Sequence, residues 1–240
     1  MVYGQAVTGV SNSHLEAQRR AIAAAGAPSN GTGGQQLDMA LTLMDGGPRG
    51  RADPAYDAHT LPIGEWARAV WEDRLPRPAL RALAAQAKLQ LARSKRIWAS
   101  VKGPGAAMVA SCARLQWTVL DAFQLRTDAG VVLDLRLDPP AIVEAQVKKA
   151  VERWRWRNIE KKIPELASNG SGNGAMMQPI WSLMQSTRED LEWNSTLRGG
   201  LGSALAGRQF PQTRCFAAGW TTHNKCTACL QTIVEEQEAD

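Results

Sequence analysis

The chain has 240 residues, a mass of 26.0 kDa and a formal net charge of +5, and 44% of its residues are hydrophobic. This length suits one large domain or two small ones, and the composition is that of a folded protein. The apolar runs are too short to cross a membrane, and the first twenty residues hold no apolar core of signal-peptide length. We therefore expect a nuclear or cytoplasmic protein that neither spans a membrane nor is secreted.

Two stretches of the sequence concentrate the positive charge. Residues 74–102 contain eight Lys or Arg and no acidic residue, and residues 148–162 contain seven against Glu152 and Glu160. Charge of this density can recruit a polyanion such as RNA or DNA. It can equally solubilise two exposed helix faces, and the sequence leaves both interpretations open.

The first sixty residues predict a loosely structured helical region. One helix is indicated around Leu15 and Ile22, and a run rich in Gly, Pro and Ser follows at residues 26–34. A second apolar stretch covers residues 37–44. A short helix is then predicted at residues 63–71, stopped by prolines.

A clearer helix is predicted from Leu80 to Trp98, where apolar residues recur at steps of three, four and seven. Basic residues flank its apolar face at every seventh position: Arg81, Lys88, Lys95 and Lys102. Their aliphatic stems can lie along the apolar face while their charged ends reach outward. Such a stripe could follow a phosphate backbone, or it could simply keep a packed helix soluble.

Residues 117–137 predict a β-hairpin. Val119 and Leu125 lie in an approximately alternating first strand, residues 127–130 supply a turn that contains glycine, and residues 131–137 alternate between apolar and polar. Prolines then begin another helix, whose buried face includes Trp154. The expected fold class is therefore mainly α with one β-hairpin (α+β), with a helix–hairpin–helix middle region, a flexible linker and a small C-terminal helical segment with cysteines.

The run Arg153-Trp-Arg-Trp-Arg157 lies in the C-terminal half of that helix. Trp154 belongs to the apolar face, whereas Trp156 points about 200° away from it on an ideal helix. An outward tryptophan between Arg155 and Arg157 could stack on an unpaired base while the guanidinium groups meet phosphates. The alternative is that Trp156 packs under another element of the same protein, since large aromatic side chains are mostly buried.

A Cys-x-x-Cys pair near the end of the sequence, Cys226 and Cys229, suggests zinc binding, because one tight turn can supply two thiolate ligands. Zinc usually takes four donors, and no His or Cys follows Cys229. Cys215 and His223 could complete a set, although their spacing is not a standard one. The alternative is a pair of reduced thiols without metal. Cys112, by contrast, is expected in the core.

Short sequence blocks occur in order along most of the chain: Tyr3-Gly4-x-x-Val7-x-Gly9, Trp66-Ala-x-x-Val-Trp71, Trp98-x-x-Val-Lys-Gly-Pro104, Arg114-Leu-x-Trp117, Leu125-Arg-Thr-Asp-x-Gly130, Leu133-Asp-Leu, Ala150-Val-x-Arg-Trp-Arg155, Phe210-Pro-Gln-x-Arg214, Ala218-Gly219 and Cys226-x-x-Cys229. Their order and spacing resemble the connector region downstream of the polymerase domain in non-LTR retrotransposon reverse-transcriptase polyproteins.

This resemblance implies a non-catalytic connector within a larger enzyme that copies RNA into DNA. In that family the Cys-x-x-Cys is the first half of a zinc knuckle, which a Gly-Thr-x-x-His and a final Cys complete before a ribonuclease H domain. We therefore expect a fragment that stops within the knuckle. The polymerase signature Tyr/Phe-x-Asp-Asp is absent from the sequence, and no clustered carboxylates suggest a ribonuclease H site.

The expected organisation is a loose helical region at 1–60, a connector domain at 61–166, a linker at 167–178 and a C-terminal segment at 179–240. The expected function is binding of RNA or single-stranded DNA, alongside the polymerase and ribonuclease H domains of the parent polyprotein. The candidate binding residues are Arg81, Lys88, Lys95, Lys102, Arg153, Arg155, Trp156 and Arg157. The alternatives are a structural or protein-interaction module that docks on an acidic partner, and the product of a decayed element without independent activity. An enzyme in its own right is least favoured, because no His or Ser lies in a catalytic motif.

Overall fold

The computed structural model describes residues 4–26, 37–45, 51–162, 177–186, 193–205, 216, 219–220 and 222–223. Over these residues the chain is mainly α-helical with one small antiparallel sheet, which confirms the expected α+β class in which helices dominate. The chain divides into two compact units, one formed by residues 1–28 with 36–186 and the other by residues 29–35 with 187–240.

In chain order, the described elements are α1 (Gln5–Thr8), α2 (Asn12–Gly26), α3 (Leu37–Asp45), α4 (Ala55–Trp71), α5 (Arg77–Ala92), a 3-10 helix (Ile97–Ala99), α6 (Pro104–Arg114), β1 (Thr118–Val119), β2 (Gln124–Arg126), β3 (Val132–Asp134), α7 (Pro140–Lys162), α8 (Gln178–Gln185) and α9 (Ser195–Leu205). α4 begins eight residues before the predicted helix and runs across residue 60, where the sequence predicts a domain boundary. The predicted linker at 167–178 lies almost entirely outside the described residues.

Helix α4 is central to the larger unit, where it packs against both α6 and α7. Its Trp66 is buried, and the indole Nε1 donates a hydrogen bond to the carbonyl of Ala122 at 2.9 Å. Gly64 allows close approach to α7, since a Cβ there would lie only 2.9 Å from Oε1 of Glu144. Glu144 in turn pairs with Arg68 of α4. A glycine and an ion pair therefore lie at the α4–α7 contact.

The sheet has three antiparallel strands in the order β1-β2-β3, so the predicted hairpin is its second half. Leu125 of β2 lies opposite Leu133 of β3, and both side chains are buried in the main core. The predicted turn at residues 127–130 is confirmed: Gly130 has a φ of 82°, and its N–H donates to the carbonyl of Thr127 at 3.0 Å.

The first predicted strand is wrong in one respect, because it is two short strands rather than one. The chain turns between β1 and β2 at Asp121, whose carboxylate accepts the backbone N–H groups of Phe123 and Gln124, both at 2.7 Å. Aspartate favours such turns because its side chain can bond to the backbone two residues on. Because apolar and polar residues continue to alternate through the turn, the sequence pattern predicts one strand where the structure has two.

Helix α7 buries side chains in two separate clusters. Val143, Val147 and Val151 enter the main core against α4 and the sheet. Further along the helix, Trp156 and Ile159 form a second cluster with Met39, Met177 and the flanking side chains of α3 and α8. α7 is therefore packed on two sides of its axis.

In the smaller unit, helix α9 begins after Asn194. The Asn194 Oδ1 accepts hydrogen bonds from the backbone N–H groups of Thr196 and Leu197, both at 3.0 Å. An asparagine in this position satisfies N–H groups that have no acceptor within the helix.

Candidate nucleic-acid interface

Helix α5 and the segment that follows it carry the candidate basic residues. Its buried face consists of Leu80, Ala84, Ala87 and Leu91, as the apolar spacing predicts. The helix ends at Ala92, however, and Lys95 and Lys102 lie beyond it, so the four predicted cations do not form one stripe along a single helix. The backbone N–H groups of Arg93 and Ser94 still bond back to the carbonyls of Leu89 and Leu91, and the 3-10 helix then begins at Ile97.

Seven exposed cations lie on this part of the chain, and we call them the basic surface: Arg77, Arg81, Lys88, Arg93, Lys95, Arg96 and Lys102. None of them forms a salt bridge with a carboxylate in the described parts of the chain, and the sequence between Arg74 and Lys102 contains no acidic residue. Arg74 is excluded from the set because it pairs with Glu65 and Glu72.

Two members of the basic surface are held by the sheet. The Arg81 guanidinium lies over the Phe123 ring, 5.3 Å from its centroid. The Lys88 Nζ donates to the carbonyl oxygens of Val119 and Leu120 at 2.8 and 3.4 Å. These contacts fix α5 against the sheet and leave both positive charges without a neutralising carboxylate.

The central arginine of the Arg/Trp run, Arg155, is buried rather than exposed. It forms an ion pair with Asp45 and donates hydrogen bonds to the hydroxyl groups of Thr42 and, at 3.1 Å, Tyr56. Burial favours loss of its proton, but the nearby carboxylates of Asp45 and Asp53 outweigh that effect and raise the pKa of Arg155. Its burial does not support its place in the predicted binding set, because an enclosed side chain presents no exposed cation to a nucleic acid.

Of the two alternatives for Trp156, the structure shows the packed one. Its side chain is 8% exposed and lies in the second cluster with Met39 and Met177. The outward orientation is wrong because α3 and α8 cover the side of α7 that periodicity alone leaves open. Trp156 therefore offers no ring face for a base.

Arg153 and Arg157 flank a buried carboxylate from the β2–β3 turn. Asp128 accepts two hydrogen bonds from Arg153, at 2.6 and 2.8 Å, and one from Arg157 at 3.0 Å. It also accepts the Trp117 indole N–H at 3.0 Å. Burial alone would raise the pKa of Asp128, but the hydrogen bonds from Arg153 and Arg157 hold it below its ordinary value. Both arginines are partly exposed, yet their charge is shared with Asp128, so they fix the turn to α7.

The sequence does not predict a second cluster of buried ion pairs. Arg19 of α2 bonds Asp53 through Nε at 3.0 Å and Asp38 through Nη2 at 2.7 Å. Asp53 also lies 3.5 Å from Nε of Arg155, so the two arginines share it. These aspartates are scattered in sequence at no recognisable spacing, and only the packing of α2, α3 and α7 around the start of α4 brings them together.

The candidate metal ligands lie largely beyond what the structure describes. His223 is exposed, and Cys215, Cys226 and Cys229 lie outside the described residues. Among the residues that are described, no group of three or more His, Cys, Asp or Glu side chains has an arrangement suited to a metal ion. Cys112 is fully buried, as expected, and burial raises the pKa of its thiol.

Comparison with known proteins adds no relative. No protein family, curated protein or solved structure matches the chain. No helix in the described ranges is both long enough and apolar enough to cross a membrane.

Proposed function

We propose that the chain is a non-catalytic, nucleic-acid-binding connector from a retrotransposon reverse-transcriptase polyprotein, and that its basic surface contacts RNA or single-stranded DNA. The observation that carries the binding proposal is the set of seven exposed cations without a carboxylate partner in the described residues. Uncompensated cations repel one another, and a phosphate backbone relieves that repulsion while releasing counterions. The connector role rests on the ordered sequence blocks.

The chemistry of the surface favours binding without sequence preference. Its exposed side chains are cations and aliphatic groups, and the Trp98 ring beside it is covered by the guanidinium of Arg114. Lysine and arginine contacts to phosphates position a strand but do not read its bases. Single strands of different sequence should therefore bind with similar affinity.

The experiment measures fluorescence anisotropy of a labelled single-stranded RNA against the full chain. The test variant Arg93→Gln/Lys95→Gln/Arg96→Gln/Lys102→Gln changes four cations that have no salt bridge in the described structure. We expect about 30-fold weaker binding at low salt, since loss of several phosphate contacts costs at least an order of magnitude.

The matched control is Arg20→Gln/Arg51→Gln/Arg126→Gln/Lys149→Gln, which removes the same formal charge from other exposed positions. Binding that falls equally in both variants would mean that net charge, not this surface, is responsible. Unchanged binding in the test variant would place the contact elsewhere.

A second candidate function is docking of an acidic protein partner on the same surface. Three large apolar side chains are exposed among the cations, namely Leu83, Leu89 and Ile97, and Leu89 is 60% exposed. Exposed apolar groups rimmed by charge are typical of protein interfaces. Failure to bind RNA or single-stranded DNA at low salt, together with capture of an acidic helical peptide that the test variant loses, would favour this candidate.

The parent polyprotein and the zinc site are tested separately. Transcripts read across the codons for Met1 and Asp240 should place a polymerase upstream and the remaining His and Cys ligands downstream in one frame. In such a longer protein, Cys226 and Cys229 would bind zinc, with Cys215 and His223 as alternative partners in the shorter chain. Elemental analysis of both proteins, with Cys226→Ser/Cys229→Ser as the control, shows which ligand set holds metal.

A further inference from the structure

The larger unit contains a cavity of about 350 Å³ between α2, α3, α6 and α7. This volume is within the range of small-molecule sites, roughly 300–1,000 Å³. None of the seven cations of the basic surface lines this cavity. It therefore raises a separate question about ligand binding.

The lining of this cavity carries more positive than negative charge. Its two carboxylates already have partners: Asp38 pairs with Arg19 and, at 3.5 Å, with Lys162, and Glu16 pairs with Arg20. The remaining charged groups of the lining are the cations of Arg114 and Lys161, which have no carboxylate partner within the described residues.

Arg114 is the more unusual of the two cations. One of its nitrogens, Nη2, donates to the carbonyl of Val10, and its guanidinium lies over the Trp98 ring. Its Nε and Nη1 are buried, and no described residue offers them a hydrogen-bond acceptor. Burial lowers the pKa of Arg114 to about 10. A buried cation without a carboxylate partner makes the electrostatic potential of the cavity that this residue lines more positive.

We infer that this cavity binds a small molecule with a phosphate monoester, which Arg114 and Lys161 neutralise and to which Asn158 can add a polar contact. A phosphate monoester carries close to two negative charges at neutral pH, which matches two cations without partners, whereas a carboxylate carries one. Trp154 also lines the cavity, with the Arg19 guanidinium 4.9 Å from its ring centroid. This inference does not depend on nucleic-acid binding by the basic surface.

Isothermal titration calorimetry of the full chain with adenosine 5′-monophosphate, inorganic phosphate and adenosine tests this inference. We expect saturable binding of adenosine 5′-monophosphate at one site, competition by inorganic phosphate, and little or no binding of adenosine. Inorganic phosphate that binds as tightly as the nucleotide would identify free phosphate as the ligand. Adenosine that binds as tightly as the nucleotide, or no saturable binding up to about 10 mM of either anion, would overturn the inference.

Two variants locate the site. Lys161→Gln changes an exposed side chain and should weaken binding about tenfold without altering the melting temperature, because one charge-assisted contact is lost. Arg114→Gln should weaken it further, and circular dichroism reports whether that variant still folds. Lys149→Gln, on the same helix but away from the cavity, is the matched control. Equal affinity in Lys161→Gln and the wild type, or equal loss in Lys149→Gln, would exclude this cavity.

The four-fold variant of the basic surface separates this inference from the proposed function. It should lose RNA binding and keep its affinity for adenosine 5′-monophosphate. A joint loss of both affinities would show that the phosphate site is not the cavity.

Discussion

The guanidinium of Arg114 lies over the indole of Trp98, with its central carbon 3.9 Å from the ring centroid. Gly9 lies close to the same ring, since a Cβ at Gly9 would be only 2.7 Å from Cζ3 of Trp98. Three segments that are distant in sequence therefore meet at one ring. Each belongs to one of the sequence blocks that carry the resemblance, so these blocks mark a packing contact of the larger unit.

The Gly9 contact predicts a large effect of Gly9→Ala. Gly9 has a φ of 63°, and the added methyl group would also overlap the Trp98 ring. We expect a loss of about 2–4 kcal/mol in the free energy of unfolding, measured by urea denaturation, as the sum of left-handed strain and overpacking. The control is Gly130→Ala, where φ is 82° but nothing lies within 4 Å of the added Cβ, and it should cost only about 1 kcal/mol. Equal losses in the two variants would contradict the contact with Trp98.

Removal of Arg155 should destabilise the protein severely. Arg155→Met leaves Asp45 without its buried cation, and we expect a loss of about 3–5 kcal/mol in the free energy of unfolding. Lys149→Met, an exposed change on the same helix, should stay within about 0.5 kcal/mol. If Arg155→Met folds with normal stability but binds RNA poorly, Arg155 contributes to binding rather than to stability.

The Asp128 carboxylate should matter for stability rather than for binding. Asp128→Ala leaves the Trp117 indole N–H and two arginines without their shared acceptor, and we expect a loss of about 2–4 kcal/mol in the free energy of unfolding. Asp57→Ala, at an exposed position in the first turn of α4, should cost no more than about 1 kcal/mol. Chemical denaturation of the two variants side by side decides the matter, and similar losses would refute a structural role for Asp128.

A buried histidine predicts how stability changes with pH. Burial, and next the positive charge of Arg114, lower the pKa of His59 to about 3. The unfolded chain takes up this proton near pH 6.5 and the folded protein does not, so the stabilising difference is present above pH 6.5 and is lost as the pH falls toward 3.

Protonation of His59 in the unfolded chain lowers the free energy of unfolding by up to about 1.4 kcal/mol for each pH unit below 6.5. In His59→Leu, the free energy of unfolding should therefore fall less steeply between pH 6.5 and pH 4. Free energies of unfolding measured at several pH values give the slopes, with the exposed His14→Leu as the control. Parallel profiles for His59→Leu and the wild type would show that His59 does not titrate in this way.

How far the sequence predicts this fold depends on how many neighbours each helix has. One-sided periodicity identified the buried face of α5 because, among the described residues, α6 and the sheet cover one side of that helix. It failed for α7, where Trp154 and Trp156 point to different sides and each meets a different neighbour. Whether a second side of a helix is buried depends on its tertiary contacts, and these cannot be predicted from the spacing of apolar residues along that helix.

The site was less predictable than the fold for a related reason. Charge density identified the basic surface but did not distinguish cations that pair with distant carboxylates from those that do not. Arg153 and Arg157 form ion pairs with Asp128, which the sequence pattern predicts only as a turn residue. The exposed Lys95 and Lys102 lie in a segment without acidic residues and have no such partner among the described residues.

The most direct test of the central claim is the salt dependence of RNA binding by the basic surface. Affinities for a single-stranded RNA, measured by anisotropy from 50 to 300 mM salt, should fall linearly on logarithmic axes. Since each phosphate contact to a single strand contributes about 0.7 to the slope, the variant with Arg93, Lys95, Arg96 and Lys102 changed to Gln should have a slope smaller by about 3. The control variant should keep the wild-type slope. Equal slopes in the wild type and the basic-surface variant would contradict nucleic-acid binding at this surface.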